Sequence, residues 1–222
     1  MTSANVVWHE GAVDRAQRWQ SLGQRGATVW FTGLPASGKS TIAAAVEARL
    51  IRDGRSAYRL DGDNLRHGVC GDLGFCAEDR EENVRRTAEV ARLFADAGTV
   101  ALVSVVSPYE AGRRAARALH ERDGLRFIEV FVNTPLEECM RRDPKGLYAR
   151  AKRGELAGMT GVDDPYEPPR DPDLELPGSI AIERAVELVL AALDAPAAGG
   201  VASPAGDGAA RDRRPSAASA AS

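Results

Sequence analysis

Gly33-Leu34-Pro35-Ala36-Ser37-Gly38-Lys39-Ser40 follows the pattern G-x-x-x-x-G-K-[ST], between a short apolar run and an alanine-rich helical pattern. In such a loop the two glycines let the backbone turn tightly and present successive N–H groups to phosphate oxygens, and the N-terminus of the next helix adds a positive dipole end. The lysine reaches the β- and γ-phosphates, and the serine hydroxyl ligates the magnesium that bridges them. The alternative is an accidental glycine-rich turn; average residue usage makes a chance match in a chain of this length a roughly 1% event. The flanks weigh against accident. Thr28 to Thr32 (Thr-Val-Trp-Phe-Thr) reads as a buried strand, and Ile42, Val46 and Leu50 recur every fourth residue until Gly54, a C-cap candidate. The loop therefore implies ATP or GTP as a ligand.

Outward from the loop, strand-like segments recur at Val29–Thr32, Ala57–Leu60, Thr99–Ser104, Phe127–Val132 and, weakly, Leu174–Leu176, most of them separated by helical patterns. That alternation predicts an α/β fold with a parallel five-stranded sheet between two helical layers. A helix from Asp79 has a possible capping box in Asp79 and Glu82, an apolar stripe through Val84, Ala88, Ala91 and Phe94/Ala95, and a stop at Gly98. Pro135 reads as a first helical residue after Asn133-Thr134. From Asp143 to Pro172 periodicity is lost while Gly and Pro accumulate, which predicts a mobile lid.

Composition narrows the function classes. Ala195 to Ser222 holds 22 Ala, Gly, Ser or Pro among 28 residues, so it is expected to be a disordered tail behind one domain over residues 1–194. The formal net charge of −3 excludes a basic nucleic-acid surface. No apolar run approaches the length of a membrane span, and the N-terminus lacks a signal-peptide pattern, so a soluble, cytoplasmic protein is expected. Cys70, Cys76 and Cys139 form no C-x-x-C pair, which argues against a disulfide framework or a zinc site. Only three of the 29 basic residues are lysines, at 39, 145 and 152. A chain that otherwise uses arginine keeps lysine where a compact ammonium suits a phosphate, so Lys145 and Lys152 join Lys39 as candidates, with stray surface lysines the plain alternative.

In an open α/β sheet, ligands bind beyond the carboxyl ends of the strands. After the second strand stands Asp61-Gly62-Asp63-Asn64-Leu65-Arg66-His67-Gly68. Two carboxylates on a glycine-containing turn hold a metal-bound water and accept a proton from an attacking hydroxyl; alternatively they form a solvated Asx-type turn. His67 reads as an orienting or packing residue. Arg80, Asn83 and Arg86 share one face early in the Asp79 helix, where cations oppose the dipole unless an anion is bound; a solvated basic face is the alternative. Ser107, after the third strand, is either a turn residue or a contact to the acceptor or phosphoryl group.

Taken together, Gly33 to Thr41, Leu60 to Gly68, Asp72-Leu73-Gly74-Phe75, Asp79-Arg80, Glu82 to Arg86, Ser107-Pro108-Tyr109, Arg142 to Tyr148 and Thr160 to Glu167 resemble the adenylylsulfate (APS) kinase family. The likeness runs from about Val6 to Leu193, and the D-G-D-N-x-R-H-G and D-P-K-G-L-Y blocks are its specific part. It implies a P-loop kinase fold and transfer of the γ-phosphoryl of ATP to the 3′-hydroxyl of adenylyl sulfate, giving 3′-phosphoadenylyl sulfate and ADP with Mg2+. It also implies a homodimer, with ATP sulfurylase as a functional partner. Under it, Gly33, Leu34, Pro35, Ala36, Ser37, Gly38, Lys39, Ser40 and Thr41 bind ATP, and Ser40 and Asp61 hold the metal. Lys39, Asp61, Asp63 and Ser107 are the catalytic set, with Asp63 orienting and deprotonating the hydroxyl. Asp63, Asn64, Leu65, Arg66, Phe75, Arg80, Glu82, Asn83, Val106, Ser107, Lys145 and Met159 line the APS site. The family carries a proposal of a phosphoserine at the Ser107 position; direct in-line transfer is the simpler expectation, because no base for that serine is evident. Met159 stands where an aromatic usually sandwiches the adenine with the residue at Phe75, which implies weaker APS binding. Cys70, Cys76 and Val105 also depart from the family pattern. Two rival readings are a P-loop kinase of another small hydroxyl compound and a nucleotide-binding regulatory subunit without turnover.

Overall fold

Val29, Trp30 and Phe31 lose all solvent contact, as a central strand covered on both faces requires. They belong to β1 (Ala27–Thr32) of a computed structural model that describes residues 5–7, 9 and 11–196. The expected tail lies, beyond residue 196, outside the described residues. The other strands are β2 (Ala57–Asp61), β3 (Val100–Ser104), β4 (Arg126–Asn133) and β5 (Leu174–Pro177), in a parallel sheet of order β2-β3-β1-β4-β5. The five expected strands are all present, each within a residue or two of its expected bounds.

The helices are α1 (Arg15–Leu22), α2 (Lys39–Arg52), α3 (Gly62–Leu65), α4 (Ala77–Ala97), α5 (Glu110–Arg122), α6 (Leu136–Arg142), α7 (Leu147–Lys152) and α8 (Ile182–Asp194). Ile42, Val46 and Leu50 of α2 join Val186, Val189 and Leu193 of α8 against Val29, Phe31, Leu102 and Val130 on one face of the sheet. On the other face, Val84, Ala88 and Ala91 of α4 and Ala116 of α5 pack on Trp30, Ala101, Val103 and Phe127. The alternation of side chains along β1 thus feeds two cores.

Two local expectations are corrected. The α4 helix starts at Ala77 with Cys76 as N-cap, its sulfur accepting the Asp79 N–H at 3.5 Å. Asp79 does not cap it, because its carboxylate reaches back to the Gly74 N–H at 2.9 Å, and Glu82 is taken by Arg85 and Arg86. The stretch from Asp143 to Pro172 is not free of regular structure: it contains α7 and a parallel bridge between Thr160 and Asp164.

His120 of α5 is fully buried. Its Nδ1–H donates to the Ala116 carbonyl at 2.8 Å, which leaves Nε2 to accept from the Thr28 hydroxyl at 2.9 Å. Burial pushes its pKa below the ordinary 6.5. The unfolded chain therefore binds a proton that the folded chain refuses, and this share of stability is full above pH 6.5 and is lost as pH falls below it. Urea unfolding between pH 7.5 and about 5 is expected to show that decline in the native protein. In His120→Gln, which keeps a donor and an acceptor but does not titrate, the decline is expected to flatten; equal slopes in the two proteins would refute the account.

Candidate functional site

The connections leave β1 and β3 in opposite directions along the sheet, so a crevice opens at their carboxyl ends. Phe31 and Asp61 both pair in register with Ser104, which brings the loops after β1, β2 and β3 to one edge.

Gly33 to Ser40 forms the expected loop. Gly33 has φ 149°, and a Cβ there would stand 2.6 Å from the Val132 carbonyl oxygen; Gly38 has φ 106°. Both positions exclude other residues on backbone grounds. Ala36, with φ 62°, carries part of the strain of this turn. No side chain caps α2, so the amides of its first turn are left for an anion. Lys39 is 7% exposed. Its Nζ donates to the Gly33 carbonyl at 2.9 Å, the Leu34 carbonyl at 2.7 Å and Ser37 Oγ at 3.3 Å. Burial draws its pKa from 10.5 down to about 8, against the attraction of Asp61 and Asp63. The loop is held from outside by Thr134 Oγ1 on the Ser37 carbonyl at 2.8 Å and by the Tyr148 hydroxyl on the Pro35 carbonyl at 3.0 Å.

Ser40 Oγ meets Ser104 Oγ at 2.9 Å. Asp61 is buried at the end of β2; its Oδ1 accepts the Asp63 N–H at 3.1 Å, and its Oδ2 accepts from Arg59 at 3.0 Å. Arg59 in turn faces Glu47 of α2 at 3.7 Å. Among the described residues no three His, Cys, Asp or Glu side chains gather as a metal cage. What stands beside the loop is a hydroxyl and a carboxylate, a sparse set of hard oxygen donors that fits magnesium carried by a nucleotide.

Asp63 is exposed and accepts from Lys145 Nζ, which brings the lid onto the second carboxylate. The lid also docks on α4 through Arg80, which donates to the Gly158 carbonyl and Thr160 Oγ1 and lies 3.3 Å from Asp164. These contacts account for a cation in the first turns of α4. Phe75 is 62% exposed, with the Arg66 guanidinium 4.2 Å from its ring centre and that of Arg80 5.9 Å away. Arg66 is anchored on the Leu73 and Gly74 carbonyls at 3.0 and 2.8 Å. Asn83 Nδ2, about one turn along α4 from Arg80, is buried without a well-formed hydrogen bond.

Other expected site residues are placed less simply. Asn64 is exposed, Leu65 packs on the core beneath the site, and Glu82 and Arg86 form an ion-pair chain with Arg85 and Asp72. Met159 is 5% exposed, packed with Cys139 and Tyr148 and with Leu34 and Ala36 of the phosphate loop. His67, read as an orienting or packing residue, is exposed, which removes the packing role. Lys152 is also exposed.

Ser107 is buried with φ 42°. Its Oγ accepts from Trp30 Nε1 at 3.1 Å and donates to Thr32 Oγ1 at 3.0 Å. Thr32 donates to the Val106 carbonyl at 2.7 Å and meets the Tyr166 hydroxyl at 3.0 Å. Arg113 also belongs to this network, through the Ser107 carbonyl; the sequence gives it no role, and gives Tyr166 none beyond its place in a family block, because the contacts that matter join positions far apart in the chain. A cleft of about 500 Å³ lies between Leu34 and the lid residues Gly161 to Tyr166 and Pro168. A smaller hollow of about 260 Å³ opens beside Asp61, Asn64 and Leu65.

Comparison with known proteins bears on this arrangement. The family described as adenylylsulphate kinase matches residues 25–177. The adenylyl-sulfate kinase of Vibrio vulnificus (strain YJ016) is 51% identical over 84% of this chain and 89% of its own length. That of Enterobacter sp. (strain 638) is 53% identical over 84% of this chain and 92% of its own. Among solved structures, the Mycobacterium tuberculosis APS kinase in complex with AMPPNP and APS superposes with a TM-score of 0.76 at 51% identity, covering 78% of this chain and 99% of that one.

Proposed function

The chain belongs to the adenylylsulphate kinase family, and from that premise we propose how its residues phosphorylate adenylyl sulfate with ATP. The phosphoryl acceptor is the 3′-hydroxyl, and the products are 3′-phosphoadenylyl sulfate and ADP. The observation that carries the reading is the meeting of three loops at one sheet edge: an uncapped helix start with Lys39, the Asp61–Asp63 turn, and a lid whose Lys145 reaches Asp63.

In this reading, the backbone from Gly33 to Thr41 cradles the triphosphate of ATP. Lys39 leaves the carbonyls of its own loop for the β- and γ-phosphates. When bound, magnesium neutralises charge across those phosphates. Ser40 and Asp61 would hold it, Asp61 with its carboxylate already oriented by Arg59 and the Asp63 N–H. Asp63 orients the 3′-hydroxyl and takes its proton as the oxygen attacks. Arg66 and Arg80 face the phosphosulfate anion, Phe75 stacks on adenine, and Asn83, Val106 and Met159 complete the acceptor wall. Lys145 stays near the transferring group and stabilises the charge that develops there. Ser107 contacts the acceptor without being phosphorylated. Its hydrogen-bond partners are a hydroxyl and an indole N–H, neither of which accepts its proton as a base, and this favours direct in-line transfer.

The proposal includes a cytoplasmic homodimer, with ATP sulfurylase supplying adenylyl sulfate; both rest on the family resemblance. Among the described residues no helix is long and apolar enough to cross a membrane. Incubating the protein with γ-labelled ATP, magnesium and adenylyl sulfate is expected to yield labelled 3′-phosphoadenylyl sulfate. Label moving to a sugar or plain nucleoside instead, or to nothing, would remove the acceptor assignment. Sedimentation equilibrium at micromolar concentration is expected to give a dimer mass, and a monomer mass would remove that part.

A further inference from the structure

We infer that Arg113 is a positioning residue for the acceptor half of the site, holding the Ser107 loop and the returning arm of the lid in one arrangement. Its side chain is 2% exposed. Nε donates to Glu129 Oε1 at 2.8 Å, one terminal nitrogen to the Ser107 carbonyl at 2.8 Å, and the other to the Glu167 carbonyl at 2.7 Å. One guanidinium thereby joins three segments that the chain order keeps apart: β4, the loop after β3, and the arm by which the lid rejoins the sheet.

The neighbouring contacts belong to the same joint. The Glu167 N–H donates to the Pro108 carbonyl at 2.8 Å, and the Glu167 carboxylate accepts the Glu110 N–H at 2.7 Å at the start of α5. The Tyr166 hydroxyl reaches Thr32, which also receives the Ser107 hydroxyl. Ser107 is held at φ 42°, a conformation that persists in a serine only where its surroundings impose it. Arg113 grips the carbonyl of that same residue.

Stability alone is a poor reason for this group, since buried ion pairs are often replaceable by apolar side chains at no cost in stability. Geometry is the better reason. A planar fork with five donors serves three acceptors at fixed angles, which a lysine ammonium cannot do. Arg113 touches neither the phosphate loop nor Asp63, so its loss is expected to fall on the acceptor and to spare the donor side.

The inference rests on the acceptor reading above, and its test separates the two. Arg113→Met is combined with Glu129→Gln so that no buried carboxylate loses its partner. The KM for adenylyl sulfate is expected to rise about tenfold, with the KM for ATP and the acceptor-independent ATP hydrolysis within about twofold of the native protein. Arg113→Lys is expected to give an intermediate KM. Tyr166→Phe, which deletes one hydroxyl from the same arm and preserves its packing, is expected to raise the KM for adenylyl sulfate about threefold and keeps the question open to refutation if the double variant does not fold. A purely structural role predicts a lower melting temperature with both KM values unchanged or shifted together, and either pattern overturns the inference. Native protein that phosphorylates no adenylyl sulfate overturns the acceptor reading instead.

Discussion

Lys39→Met is expected to lower kcat/KM for ATP in the phosphorylation of adenylyl sulfate by about a thousandfold, the scale of removing one preorganised charge from a developing anion. The same substitution should leave the melting temperature within a few degrees. The methionine fills most of the same volume, and the change removes an ammonium that burial already disfavours. The cost to the fold falls on the Gly33 and Leu34 carbonyls and the Ser37 hydroxyl that the ammonium now serves.

The protonation of Lys39 gives this prediction a second edge. The free enzyme carries the ammonium below a pKa of about 8 and a neutral amine above it. Because kcat/KM reports the free enzyme, its profile for ATP is expected to fall as pH rises past about 8. Bound phosphates favour the charged form, so the matching limb in kcat lies at higher pH. Retention of more than a tenth of the activity by Lys39→Met, or a kcat/KM profile that stays level well above pH 9, would falsify the assignment.

Asp63→Asn is expected to lower kcat by 10²- to 10⁴-fold, roughly the worth of a positioned general base, with KM for adenylyl sulfate nearly unchanged. Asparagine still accepts a hydrogen bond from the acceptor hydroxyl but does not take its proton. The side chain is 65% exposed and its bond to Lys145 is at the surface, so the exchange should be close to neutral for folding. Asp61→Asn distinguishes the two carboxylates. Its effect is expected to be relieved in part by raised magnesium, which gives no relief to Asp63→Asn. If Asp63→Asn kept a tenth of the native kcat while Asp61→Asn lost it irrespective of magnesium, the roles would have to be exchanged.

What could be read before the structure was local. The phosphate loop, the Asp61–Asp63 turn and the strand cores depend on residues within one turn or one pleat of each other, and their patterns survive in a linear text. The scarcity of lysine draws attention to three positions: Lys39 lies buried in the phosphate loop, Lys145 meets Asp63 at the surface, and Lys152 is exposed. The start of α4 was misread because Asp79 and Cys76 compete for the cap. The outcome depends on the Gly74 N–H, which captures the Asp79 carboxylate and leaves the thiol as N-cap. Arg113 is one arginine among many in the sequence. Its meaning lies in carbonyls at 107 and 167, and no periodicity links those positions. The family resemblance assigns Met159 to the acceptor wall in place of the usual aromatic, and its packing against Tyr148 and the phosphate loop follows from how the lid folds down.

Among the described residues the central strand is also the first in sequence. Ala27 of β1 pairs with Val100 on one side and Arg126 on the other, so β1 has no neighbour in the sheet until those later strands have been made. Gly33 leans on the carbonyl of Val132, near the end of β4. During synthesis, Trp30 therefore emerges well before the strands and helices that cover it, and the phosphate loop has no wall behind it until β4 has followed. The loop that cradles phosphate thus depends on strands that follow it in the chain.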